Sequence, residues 1–170
     1  MVKFDSDVKF NSDVKFNSEG DFEAHVRELI ATDVVPHVKG LDVLGGKKGV
    51  DLCVFRNGPS AAIFFIEVKY FNKYKNHSRV SLGNSSGEGF QPSIFRQRPD
   101  YLEANLRWLF GSAEHPDEYF LLNTSQAKTH LSCGAIGKKQ NGFKKSLFSR
   151  VQGLSKDELV EEFKRWFTAA

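Results

Sequence analysis

The segment from Gly49 to Tyr70 constrains the fold more than any other part of the chain. Gly49 to Phe55 reads as a strand, Arg56-Asn57-Gly58-Pro59-Ser60 as a hairpin signal, and Ala61 to Tyr70 as a longer, nearly all-apolar strand. A strand that is apolar on both sides must be covered on both, which places it in the middle of a sheet. Helical periodicity flanks this hairpin. Phe22, Val26, Leu29 and Ile30 fall at i, i+4, i+7 and i+8, one stripe on a helix over about residues 21–33 that Asp21 or Ser18 can cap and that Pro36 and Gly40 end. Leu41 to Leu44 is a short strand. Pro99 opens a helix with Leu102, Leu106, Leu109 and Phe110 at core spacing, ending near Gly111, and Glu118 to Asn123 is a further strand. Ser155-Lys156-Asp157-Glu158 starts a last helix with Leu159, Phe163 and Phe167 on one stripe. The order α, β, β, β, α, β, a basic irregular region and α predicts an α/β protein with a central mixed sheet flanked by helices.

At 170 residues and 40% hydrophobic content the chain fits one compact domain. Residues 1–19 stand apart as three hexads, Val2 to Asp7, Val8 to Asp13 and Val14 to Glu19. Three short copies are too few for a solenoid, so they read as an accessory arm before a single domain over residues 20–170. The longest apolar run, Ala61 to Ile66, is six residues, far short of the roughly 20 that span a bilayer. The first residues lack the continuous apolar stretch of a secretory signal, and the expected compartment is the cytoplasm. Cys53 and Cys133 lie far apart without a CxxC partner and read as buried thiols. The five histidines show neither HxH nor HExxH spacing, so zinc chemistry has no support. Gly83 to Gly89 lacks the Gly-Lys-Ser/Thr ending of a nucleotide-phosphate loop.

Charge is unevenly spread. Residues 1–51 carry ten acids and seven bases, net −3, and residues 52–170 carry eleven acids and seventeen bases, net +6. From Tyr119 to Lys156 there is no acid, while Lys128, Lys138, Lys139, Lys144, Lys145, Arg150 and Lys156 are all present. Such a one-signed stretch suits a polyanion, because each neutralised phosphate releases condensed counterions.

The chemistry gathers on the central hairpin. Asp51 begins its first strand and Glu67-Val68-Lys69 ends its second. Glu67 and Lys69 are two apart, so they share one face of the strand while Ile66 and Val68 take the other. The hairpin turn brings Asp51 opposite residues 64–66, within one or two steps of Glu67. An isolated Glu-x-Lys reads first as a salt bridge at a strand end. Two carboxylates and an ammonium at the end of an apolar hairpin are costly unless compensated, and a hard divalent cation compensates them. Mg²⁺ suits Asp51, Glu67 and the Val68 carbonyl as oxygen ligands, with Mn²⁺ able to substitute, and Lys69 can orient a water or stabilise developing charge.

Asp51, an apolar hairpin and then Glu67-Val68-Lys69 resemble the PD-(D/E)XK motif of restriction-endonuclease-like nucleases, with Val50 where the literal motif has Pro. Gly20-Asp-Phe-Glu23-Ala-His-Val26 looks like the helix that brings another acid to the metal in that superfamily. Glu23, at the edge of the apolar stripe, is preferred to Glu28. Gln91 and Gln97 stand where several branches carry a glutamine. The resemblance implies a Mg²⁺-dependent DNA endonuclease, most like a small type II restriction enzyme, working as a homodimer and leaving 5′-phosphates. Its candidate catalytic residues are Asp51, Glu67, Lys69 and Glu23. DNA contacts fall to Gln91, Arg96, Gln97, Arg98, Lys138, Lys139, Lys144 and Lys145. Two alternatives stay open: a branched-DNA (Holliday junction) resolvase or repair nuclease, and a non-catalytic DNA-binding module.

Overall fold

The computed structural model describes residues 16–45, 50–72, 79–81, 100–132 and 142–169. Helix α1 (Glu19–Leu29) starts where Ser18, in extended conformation, accepts a hydrogen bond from the Asp21 amide, with Glu19 and Asp21 in the first turn. Its stripe Phe22, Val26 and Leu29 is buried as the spacing predicts. After Leu29 the helix loosens into a π-helical turn (Ile30–Val34) and a 3-10 turn (Val35–His37) containing Pro36.

Strands β1 (Leu41–Gly45), β2 (Leu52–Arg56) and β3 (Ala62–Phe71) form an antiparallel meander. Gly58 turns the β2–β3 loop at φ 115°, a backbone state other residues rarely adopt. Arg56 pairs with Ala62 and Leu52 with Ile66. Strand β4 (Arg79–Ser81) belongs to a second, smaller sheet. Strand β5 (Leu106–Ser112) runs parallel to β3, and β6 (His115–Asn123) runs antiparallel to β5, giving a five-stranded mixed sheet in the order β1-β2-β3-β5-β6. Strands β7 (Leu131–Ser132) and β8 (Gly142–Lys144) complete the second sheet, ordered β4-β8-β7. The remaining helices are α2 (Asp100–Asn105), α3 (Thr124–Thr129) and α4 (Lys156–Ala169). The protein is thus α/β, a mixed sheet flanked by helices. Among the described residues no helix is long and apolar enough to cross a membrane.

Three expectations need correction. The helix opened by Pro99 does not run to Gly111: α2 stops at Asn105, and Leu106 onward is a strand. The spacing 102, 106, 109, 110 fits a helix, but the same run fills both sides of a strand. Leu106, Trp108 and Phe110 enter one core, and Leu109 the other. Pairing along β3 decides the conflict, since it satisfies the backbone of two buried strands together. The basic stretch after β6 is not irregular throughout either: it holds α3, β7, β8 and a 3-10 turn (Lys145–Ser149). Cys53 is half-buried rather than buried, and Cys133 lies outside the described residues.

The sheet separates two cores. On one face, α1 and α4 pack Phe22, Val26, Leu159, Phe163 and Phe167 against Leu52, Val54, Phe64, Ile66 and Val68. Gly111 lets α1 lie close to this face, because a Cβ there would stand 2.5 Å from the Phe22 ring. On the other face Phe143 of β8 packs on Trp108 and Phe110, with ring centroids 5.3 and 4.7 Å away.

Candidate active site

Carrying the β2–β3 register one step past Leu52↔Ile66 sets Asp51 beside Glu67. Alternation puts Asp51, Glu67 and Lys69 on the face opposite Leu52, Ile66 and Val68. The backbone of one residue, Val68, ties the corner together. The Val68 amide donates to Asp51 Oδ2 at 2.7 Å, and the Val68 carbonyl accepts from Lys69 Nζ at 2.9 Å. Lys69 Nζ also donates to Glu19 Oε1 at 3.2 Å and lies 3.6 Å from Asp51 Oδ2. Glu67 is fully buried and Lys69 is 3% exposed, whereas Asp51 keeps 24% of its side chain in solvent. The corner is therefore open on the Asp51 side and sealed on the β3 side.

Helix α1 adds acids from its N-terminal half. Burial pushes the Glu23 carboxyl above its ordinary range, with the Asp51 and Glu19 charges pushing the same way against Arg27 and Lys69. Burial alone would lower Lys69, but Asp51, Glu19 and Glu67, together with the Glu19 hydrogen bond, outweigh it and raise the ammonium above its usual value. At neutral pH Lys69 is a cation. It can donate hydrogen bonds and offset negative charge, and it has no lone pair with which to take a proton. Glu28 is exposed, and its carbonyl accepts from Thr32 Oγ1 at 2.9 Å. Of the two helix acids weighed from sequence, Glu23 is the one coupled to Asp51.

Sequence reasoning missed Glu19. It closes the third hexad and is also the first residue of α1, while Phe16 of the same hexad packs edge-to-face with Phe22 and Tyr70, ring centroids 5.1 and 5.7 Å apart. The usable signal was Ser18: once it is the helix cap, Glu19 opens the first turn, four residues before Glu23 on the same side.

The donor chemistry suits a hard cation. Four carboxyl side chains, Glu19, Glu23, Asp51 and Glu67, act on one ammonium, with Arg27 beside Glu23. All are oxygen donors of the kind Mg²⁺ and Mn²⁺ prefer. Among the described residues no three His, Cys, Asp or Glu side chains already stand close enough to share one ion, and Lys69 takes the central position.

Of the expected DNA contacts, Gln91, Arg96, Gln97, Arg98, Lys138 and Lys139 lie outside the described residues. Lys144, on β8, is exposed, and Lys145 is ion-paired with Glu114. Trp108 and Phe110, which hold β8 through Phe143, are the β5 partners of Glu67 and Lys69. The basic small sheet therefore covers the same sheet face that carries the acid-lysine corner. Arg150 lies close enough to His130 to join burial in lowering the imidazole pKa.

No family model matches the chain, and no curated protein sequence matches it. Among solved structures the chain is similar to Archaeoglobus fulgidus Hjc, a Holliday junction resolvase from an archaeal hyperthermophile. The two are 14% identical over 83% of this chain and 98% of that one, with a TM-score of 0.38, a distant likeness in fold.

Proposed function

We propose that the Asp51–Glu67–Lys69 corner is the active centre of a divalent-metal-dependent endonuclease acting on DNA. The observation that carries this reading is the burial of Glu67 and Lys69 within β3, beside the start of β2, with Asp51 and Glu19 of α1 set against the same ammonium. A chain that needed only stability would fill this place with apolar side chains, since a buried ion pair rarely outperforms them.

Asp51, Glu67 and the Val68 carbonyl would hold Mg²⁺ or Mn²⁺, with Glu23 in support. When bound, the metal supplies Lewis acidity toward a phosphoryl oxygen. Lys69, kept cationic by its neighbours, places fixed positive charge where negative charge builds up in the pentavalent transition state, and its N–H groups can orient an attacking water. The small basic sheet, with Lys144 exposed, supplies sequence-independent phosphate contacts on the same face. Lys138, Lys139, Gln91, Arg96, Gln97 and Arg98 are further DNA contacts in the proposal. Cutting both strands takes two such corners, so the reading includes a symmetric homodimer.

Supercoiled plasmid and a synthetic four-way junction, each incubated with and without Mg²⁺, test the proposal. Metal-dependent nicking is expected. Preference for plasmid marks the restriction-like reading, and preference for the junction marks a resolvase. Salt-sensitive DNA binding with no cleavage under any metal would replace both with a non-catalytic DNA-binding module.

A further inference from the structure

We propose that Glu19 is a positioning residue for Lys69, a tether on the first turn of α1 that fixes where the ammonium sits in the corner. The inference rests on the nuclease reading for its effect on turnover, but the tether itself does not.

Three acceptors surround Lys69 Nζ, and they are unequal. The Val68 carbonyl, at 2.9 Å, belongs to the residue preceding the lysine and cannot choose a direction for a flexible four-carbon stem by itself. Asp51 Oδ2, at 3.6 Å, lies beyond hydrogen-bond reach and already accepts the Val68 amide at 2.7 Å. Glu19 Oε1, at 3.2 Å, is the carboxylate that hydrogen-bonds the ammonium, and it arrives from a different element 50 residues away. Glu19 thus draws the cation off the axis of Asp51 and toward the helix. Without it, the ammonium would collapse onto Asp51, the more buried of the two carboxylates, and occupy an oxygen assigned to the metal.

The ordinary explanation for Glu19 is a first-turn acid that complements the helix dipole. Asp21 serves as an internal control for that role. It lies in the same turn, and its Oδ2 accepts the Asn17 amide at 3.1 Å, with no contact to Lys69. A dipole effect is shared by both residues, whereas a tether is specific to Glu19.

The test uses the full chain labelled with ¹⁵N at lysine. A buried, hydrogen-bonded ammonium exchanges slowly enough for its Nζ–H signal to be resolved, so Lys69 is assigned by its loss in Lys69→Met. The signal is expected to shift and broaden in Glu19→Ala, to recover in part in Glu19→Gln, which keeps an acceptor oxygen, and to stay in place in Asp21→Asn. In plasmid nicking, Glu19→Ala is expected to lower kcat about tenfold with KM within about twofold, while Asp21→Asn leaves both unchanged. An unaltered Lys69 signal in Glu19→Ala would overturn the tether, whatever the enzyme does. If the wild type cleaves no DNA, the nuclease reading falls, and the Nζ signal alone decides the tether.

Discussion

On α4, Lys164 pairs with Glu161 at 2.9 Å and Arg165 with Glu162 at 3.2 Å, all one-quarter exposed or more and one helical turn apart. At the β2–β3 corner, Lys69 is 3% exposed, Glu67 is fully buried, and the partners come from β3, the start of β2 and α1. The α4 pairs are local, hydrated and replaceable, the ordinary surface of an amphipathic helix whose other face carries Leu159, Phe163 and Phe167 into the core. The corner is non-local, and its charges were removed from water at a cost that pairing offsets only in part. Chemistry is expected where charge is held in a place that folding disfavours.

Stability should separate the two regions most sharply. In metal-free urea unfolding, Lys69→Met should cost about 3–5 kcal/mol because it strands buried carboxylates, whereas Lys164→Met should change stability by less than about 0.5 kcal/mol. Equal effects would erase the contrast. Activity comes next. Asp51→Ala and Lys69→Ala should lower Mg²⁺-dependent plasmid nicking by about 10²–10³, with Lys164→Ala unchanged. Normal nicking in either corner variant would remove the corner from the mechanism.

A third prediction concerns the seam between α1 and α4. His25 Nε2 lies 2.7 Å from the Tyr119 hydroxyl, and burial, with Lys156 of α4 adding to it, lowers the imidazole pKa below its ordinary 6.5. Burial, with the Asp117 charge, pushes the Tyr119 phenol up to about 12, so it stays protonated at neutral pH. Because the folded His25 takes up a proton less readily than the unfolded one, its contribution is complete above about pH 6.5. That contribution is lost as the pH falls from there through the lower, folded value. Urea midpoints between pH 7 and 5 should therefore fall more in the wild type than in His25→Gln. The smallest effect belongs to Glu23. Its raised carboxyl means that its charge is disfavoured in the fold, so Glu23→Gln should stabilise the metal-free protein at pH 7 by about 0.5 kcal/mol while reducing nicking. Destabilisation instead would place Glu23 outside the crowded acids.

Much of this was legible in the residues themselves. The stripe of α1, the β2–β3 hairpin and the stripe of α4 follow from local periodicity, and all three packed as their spacing implied. Leu106–Ser112 did not, because a short apolar run fits helix and strand equally until a neighbouring strand's hydrogen-bonding edge decides. The position of Asp51 depended on a loop length, and the register that pairs Arg56 with Ala62 sets Asp51 at Glu67, one residue beyond the 64–66 inferred from the turn. Glu19 was hidden because it ends a repeat that reads as separate from the domain, and its contact with Lys69 exists only after α1 docks on the sheet.

A divalent cation held in this corner would be located by a crystal soaked in Mn²⁺. An anomalous-scattering peak is expected against the Asp51 and Glu67 carboxylates, with Lys69 displaced from the Val68 carbonyl. Anomalous maps without a peak there, and with the Lys69 ammonium still bridging Glu19 and the Val68 carbonyl, would contradict it.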